Sequence, residues 1–306
     1  MIRVIFFGTP QIAADILQTI HQLPNVEIVG VVSQPDKQKN RKQDLLMTPV
    51  KAYCVAHNLK HLAPEKIATI TDEIKQLIPD IIITCAYGQF IPQKIIDIPR
   101  YKIVNVHASL LPRLRGGAPI HYAIINGYKE TGVTLMHTIK QMDAGNILFS
   151  KKTGITEKTT YASLLKTLTQ LGQDLIQEHF NDLCSSDLIG QVQDEQLVTF
   201  GYNITKEQRY INFNQPAWMV NRFVNGLNDK PVALWSYNDI DIKVYNIELT
   251  NQKSVYPPGT IKLVNKQILI ATSDFDIKIK TIQLPNKKIT AIDAILNGNS
   301  IFDSLK

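Results

Sequence analysis

Two short runs, Val26 to Ser33 and Ile81 to Cys85, are rich in Val and Ile and show no polar alternation, and Met1 to Phe7 is a third apolar run. A strand with one wet face alternates apolar and polar residues, whereas a strand covered on both faces does not. Such runs belong inside a parallel sheet, so the chain between them must cross over, and helical segments near Pro49 to His57 and Pro64 to Leu77 supply the crossovers. The predicted architecture is a doubly wound, mostly parallel α/β sheet of Rossmann-like type. Lys102 to His107 and Gly132 to Thr138 are further strands, and Tyr161 to Leu183 is a long helix closing the domain. Gly8-Thr9-Pro10 turns the first strand into a helix, with Thr9 expected as N-cap and Pro10 at the first helical position.

The pattern changes after about residue 185. A polar stretch running to Thr205 has the composition of a linker, and a helix near Pro216 to Asn228 follows it. Short β-rich runs come next: Val232 to Ser236, Ile240 to Leu249, Thr260 to Val264, Gln267 to Thr272 and Ile277 to Leu284. Pro257-Pro258-Gly259 and Pro285-Asn286 supply turns, so these runs suggest a small β-barrel of oligonucleotide-binding type. A chain of 306 residues has room for one large domain and this smaller one.

The net charge is +6, and the basic excess is relatively denser in the last third, which suits a domain lying on phosphates and equally a lysine-rich solvated surface. Cys54, Cys85 and Cys184 are far apart and have no metal-ligand spacing, so they are expected as buried thiols in a reducing compartment. With no membrane span and no signal core, a soluble cytoplasmic protein is expected; a monomer is expected as well. Gly8-Thr9-Pro10-Gln11-Ile12-Ala13 has one of the three glycines that a dinucleotide fingerprint needs, so a redox cofactor is not supported.

The stretch NVHASLLPRLRGGAP, Asn105 to Pro119, places two polar side chains in a strand. Alternation points Asn105 and His107 the same way, at the C-terminal strand end where open α/β sheets bind ligands. A His there is also an ordinary structural residue. Paired with Asn, it offers a neutral donor and a titratable group that could bind an oxyanion and move a proton. Ser109 lacks a nucleophile-elbow context, and His121 and His137 lie on other predicted elements, so covalent and metal schemes recede. Asp143, in the loop after the strand Gly132 to Thr138, is either a turn-former or the group that orients His107.

These residues resemble the signature of the 10-formyltetrahydrofolate-dependent formyltransferases, whose catalytic triad is matched by Asn105, His107 and Asp143. Ile5-Phe6-Phe7-Gly8-Thr9-Pro10, Ser33-Gln34-Pro35-Asp36, Thr48-Pro49-Val50-Lys51, Ala86-Tyr87-Gly88-Gln89, Gly259-Thr260-Ile261 and Leu284-Pro285-Asn286-Lys287-Lys288 are similar to the methionyl-tRNA branch. The resemblance implies a catalytic domain over 1–187, a linker over 188–205 and a tRNA-binding β-barrel over 206–306. It implies transfer of the formyl group of 10-formyltetrahydrofolate, without a metal, to the α-amino group of methionyl initiator tRNA. Ser109, Leu110, Leu111, Pro112, Ala86, Tyr87 and Gly88 would border the folate. Lys37, Lys39, Arg41 and Lys42 would meet the tRNA acceptor end, Arg41 matching the family's important Arg. Asn40 and Lys42 depart from the family's small residues there, and residues 224–231 depart from its Arg-containing, Trp-Pro-rich turn. Rival readings are a sugar-nucleotide N-formyltransferase and an RNA-binding module with a vestigial folate site.

Overall fold

Seven strands, β1 (Ile2–Gly8), β2 (Val26–Val32), β3 (His61–Leu62), β4 (Ile81–Cys85), β5 (Ile103–His107), β6 (Glu130–His137) and β7 (Ile147–Gly154), form one sheet in the order β3-β2-β1-β4-β5-β6-β7. The computed structural model describes residues 1–37, 45–297 and 301–303. Pairings from β3 to β5 are parallel, and β6 joins β5 antiparallel. All five residues of β4 are buried, as are Val4 to Phe7 of β1, as expected for strands covered on both faces. Strand order reverses between β1 and β4, and open α/β sheets bind ligands outside the carboxyl ends of the strands at such a switch point.

Helices α1 (Gln11–His21), α2 (Pro49–Ala56), α3 (Thr71–Gln76), α4 (Gln93–Ile96), α5 (Pro119–Ile125) and α6 (Tyr161–Leu183) connect and follow the strands. Ala13, Ile16, Leu17 and Ile20 repeat at helical spacing and are buried, which seats α1 on the sheet. Thr9 is not its cap. Pro10 holds the N-cap position, and the Thr9 hydroxyl donates to the Tyr87 carbonyl (3.2 Å) while accepting the Gln34 N–H (3.1 Å). Thr9 therefore staples together the loops that follow β1, β2 and β4. The single helix expected over Pro64 to Leu77 is a 3-10 turn, Ile67–Ile70, followed by α3. The β-branched residues Ile67, Thr69, Ile70 and Thr71 disfavour a continuous α-helix there.

The chain divides into two compact units. The first comprises Met1–Pro119, Thr131–Thr153 and Leu165–Tyr202; the second comprises Ile120–Glu130, Gly154–Leu164 and Asn203–Lys306. Residues 188–202 pair within the first unit, through Gln191 with Ile147 and Phe200 with Arg115. In the second unit, β8 (Ala233–Tyr237), β9 (Ile240–Lys253), β10 (Ile261–Val264), β11 (Gln267–Ala271) and β12 (Phe275–Gln283) pair in the order β10-β11-β12-β9-β8, and β13 (Thr290–Ala291) joins β12. The pairings are antiparallel throughout. Helix α7 (Ala217–Leu227) buries Val220, Val224 and Leu227 in the same cluster as Trp235, Ile242 and Ile277, and α8 (Ile292–Leu296) contributes Ile292 and Leu296. Asp276, fully buried, is neutralised by Lys262 and accepts the Ser254 hydroxyl. Among the described residues no helix is long and apolar enough to cross a membrane.

Candidate active site

Register on β5 sets the first two groups. Asn105 lies between Thr84 of β4 and Met136 of β6, and His107 lies opposite Thr134 of β6. The Thr84 hydroxyl donates to Asn105 Oδ1 at 2.7 Å. That bond occupies the amide oxygen and leaves the amide NH2 as the group Asn105 presents.

His107 is only 6% exposed. Its Nε2 lies 2.9 Å from the Leu114 carbonyl. A carbonyl can only accept, so Nε2 carries a hydrogen and Nδ1 is the unprotonated position of the neutral ring. Nδ1 faces Asp143 Oδ2 at 3.7 Å. This distance is long for a hydrogen bond but within ion-pair range, so the pair attracts once Nδ1 gains a proton.

Asp143 is held from several sides. Its backbone is left-handed (φ 50°), and Oδ2 accepts the Gly116 N–H at 2.8 Å. The Gln193 amide donates to the carbonyls of Asp143 and Gly145, both at 2.8 Å. Gln193 in turn accepts from Nε and Nη2 of Arg115, whose Nη2 also pairs with Glu195 at 2.8 Å. Arg115 is 1% exposed, and its fork is spent on this frame. Beneath the loop, a Cβ on Gly145 would lie 1.8 Å from the His137 carbonyl oxygen, so only glycine fits there.

The residues expected at a folate divide into two layers. Leu110 and Pro112 are half-buried, and Ala86 and Gly88 are exposed at the end of β4 with positive φ. Ser109, Leu111 and Tyr87 are buried below them. Ser109 Oγ donates to the Arg113 carbonyl (2.6 Å), and Thr134 Oγ1 donates to the Ser109 carbonyl (2.7 Å) while accepting the Leu111 N–H (3.2 Å). Tyr87 packs on Phe7, with ring centroids 5.3 Å apart. Of the four basic residues expected at tRNA, Lys37 is exposed; Lys39, Arg41 and Lys42 lie outside the described residues. The chain on either side of residues 38–44 is joined through Asp36, which accepts the Thr48 N–H (3.0 Å) and the Lys51 ammonium (2.5 Å). Partial burial would raise the Asp36 pKa, but these two donors outweigh it and hold the carboxyl below its ordinary value.

Thr84, Leu114, Gly116, Arg115 and Gln193 escaped the sequence reading. Arg115 and Gly116 stand inside NVHASLLPRLRGGAP, yet their partners are remote: Gln193 is 78 residues from Arg115, and Asp143 is 27 from Gly116. His137, whose carbonyl sits under Gly145, is itself buried. Burial, with the Lys102 ammonium adding to it, pulls its pKa down to about 4. Its unfolded value is about 6.5. Between these values the unfolded chain binds a proton that the folded chain refuses, so stability falls as pH drops from 6.5 and levels off near 4. The expected loss is on the order of 3 kcal/mol. Urea unfolding at pH 7.5 and pH 5 should show a smaller acid loss for His137→Gln than for the wild type; equal losses would contradict this.

Residues 2–179 match the formyl transferase model and residues 203–300 match the formyl transferase C-terminal domain. A methionyl-tRNA formyltransferase of Ureaplasma urealyticum is 56% identical over 302 residues, covering 99% of each chain, and that of Malacoplasma penetrans is 42% identical, covering 97% of this chain and 94% of its own. Among solved structures, the N-formyltransferase of Helicobacter canadensis, in complex with folinic acid and dTDP-3-aminofucose, superposes with a TM-score of 0.68 at 19% identity over 91% of this chain and 99% of that one. HypX from Aquifex aeolicus, in complex with tetrahydrofolic acid, gives 0.64 at 17% identity; the match covers 96% of this chain, which spans only 46% of HypX. At these identities the structural matches show the fold alone. The chain belongs to the formyl transferase family and, within it, to the methionyl-tRNA formyltransferases.

Proposed function

We propose that the chain transfers the formyl group of 10-formyltetrahydrofolate to the α-amino group of methionyl initiator tRNA, with Asn105, His107 and Asp143 as the catalytic groups. The observation that carries the reading is the meeting of these three at the carboxyl end of β5, with Asn105 Oδ1 already engaged by Thr84 and His107 Nδ1 facing Asp143. The neutral amine attacks the formyl carbon, a new C–N bond forms, and the oxygen becomes an oxyanion. The Asn105 amide N–H donates to it, and protonated His107 adds positive charge and a second donor. Asp143 orients the ring and takes part in removing the amine proton. Collapse breaks the bond between the formyl carbon and N10 of the folate, and that nitrogen ends with the proton the amine has lost.

Ala86, Gly88, Leu110 and Pro112 offer the open positions for the folate, with Ser109, Leu111 and Tyr87 fixing them from below. The basic segment Lys37, Lys39, Arg41 and Lys42 is assigned to the phosphates of the acceptor end. Three free cysteines suit a reducing, cytoplasmic setting. The N-formyltransferase of Helicobacter canadensis, solved with dTDP-3-aminofucose, shares the fold at 19% identity, whereas the methionyl-tRNA formyltransferases match along nearly the whole chain, which favours tRNA as acceptor. The test is formylation of methionylated initiator tRNA beside methionylated elongator tRNA.

A further inference from the structure

Two exposed aromatic side chains are tied to the catalytic loop and have no part in the scheme above. Phe200 is 45% exposed and Tyr202 58%, and their rings stack, 5.2 Å between centroids and 5° from parallel. The backbone beneath them is fixed. Arg115 N donates to the Thr199 carbonyl (2.9 Å), Gly201 N to the Arg115 carbonyl (2.8 Å) and Ala118 N to the Gly201 carbonyl (2.8 Å). The Thr199 hydroxyl accepts the Leu114 N–H at 2.9 Å. Gly116, at φ 114°, approaches so closely that a Cβ on it would lie 2.8 Å from the Gly201 oxygen. This same loop supplies the carbonyl that accepts the His107 Nε2 hydrogen and the N–H that fixes Asp143. The aromatic pair is thus one backbone ladder away from the catalytic groups.

An aromatic stack left in water forgoes apolar burial, yet its flat π faces suit another flat π system. Base stacking on aromatic side chains is strong, tolerant of sequence and typical of unpaired nucleic acid. The exposed Arg113 on the same loop and the chain's net charge of +6 favour a polyanion. The acceptor amine is carried by a short ester on the last nucleotide, so when the amine is at His107, the unpaired 3′ nucleotides are the nucleic acid nearest this loop. We propose that Phe200 and Tyr202 form a stacking platform for an unpaired base at the 3′ end of the aminoacylated acceptor strand. This rests on the reading of the site as a tRNA formyltransferase.

The test compares the wild type, the double variant Phe200→Ala/Tyr202→Ala and the aromatic swap Phe200→Tyr/Tyr202→Phe in steady-state formylation, varying methionyl-tRNA and 10-formyltetrahydrofolate separately. Both side chains are exposed, and thermal unfolding checks that all three proteins fold alike. The double variant should raise KM for methionyl-tRNA about tenfold or more, as expected for a lost base stack, with kcat and the folate KM within about twofold of the wild type; the aromatic swap should restore it. An unchanged KM for methionyl-tRNA would overturn the platform. A rise confined to the folate KM would also overturn it, assigning the pair to the pterin ring. A wild type that formylates no methionyl-tRNA would instead reject the underlying reading of the site.

Discussion

His107→Ala should lower kcat/KM for formyl transfer by at least about 10²-fold while the protein remains folded. The substitution removes the ring whose Nδ1 faces Asp143, and with it, in the proposed mechanism, one oxyanion donor and the proton carrier. It also leaves the Leu114 carbonyl without its partner, a loss of about 1 to 3 kcal/mol of stability, so urea unfolding should accompany the kinetics. Asn105→Asp separates the two roles of its neighbour. A carboxylate still accepts the Thr84 hydroxyl, so the strand keeps its contact, but no N–H remains for the oxyanion and a negative charge stands near it. Its rate should fall with His107→Ala, its stability much less. Near-wild-type rates in either variant would remove these groups from the chemistry.

Gly145→Ala should be nearly as damaging, although Gly145 touches no substrate in this account. The added methyl would sit 1.8 Å from the His137 carbonyl oxygen, a backbone atom in β6 that cannot swing aside. The loop must lift, and Gln193, which holds the carbonyls of Asp143 and Gly145 together, moves with it or lets go. Either way Asp143 leaves Gly116 and His107. A displacement of about 1 Å in a positioned group costs on the order of 10²-fold in rate. Met142→Ala, at a side chain 48% exposed in the same loop, should keep close to full activity and serves as the control. Full activity in Gly145→Ala would mean that Asp143 need not be held where it stands.

What could be read from the sequence follows the range of the interactions. Asn105 and His107 are two residues apart, and strand alternation alone puts them on one face. Asp143 was placed by its position just after a strand. The parallel half of the sheet was legible because runs such as Ile81–Cys85 are buried on both faces. Strand β7 was not, because its residue types run as an apolar block, Ile147 to Phe149, followed by a polar one, Ser150 to Thr153, although burial alternates from Phe149 to Gly154. The frame around the triad was also hidden. Thr84 reaches Asn105 from a neighbouring strand, Gln193 reaches Arg115 from the polar stretch after the long helix, and neither contact leaves a local pattern. Thr9 shows the reverse case: a residue with sound local capping chemistry is claimed by Tyr87 and Gln34, which the sheet brings beside it.

Incubation of the protein with 10-formyltetrahydrofolate and, in parallel, methionylated initiator tRNA and methionylated elongator tRNA decides the acceptor. Formylation should be rapid for the first and almost absent for the second, with the initiator reaction abolished in His107→Ala. Equal formylation of both tRNAs, or of an amino sugar nucleotide in place of either, would contradict the proposed function.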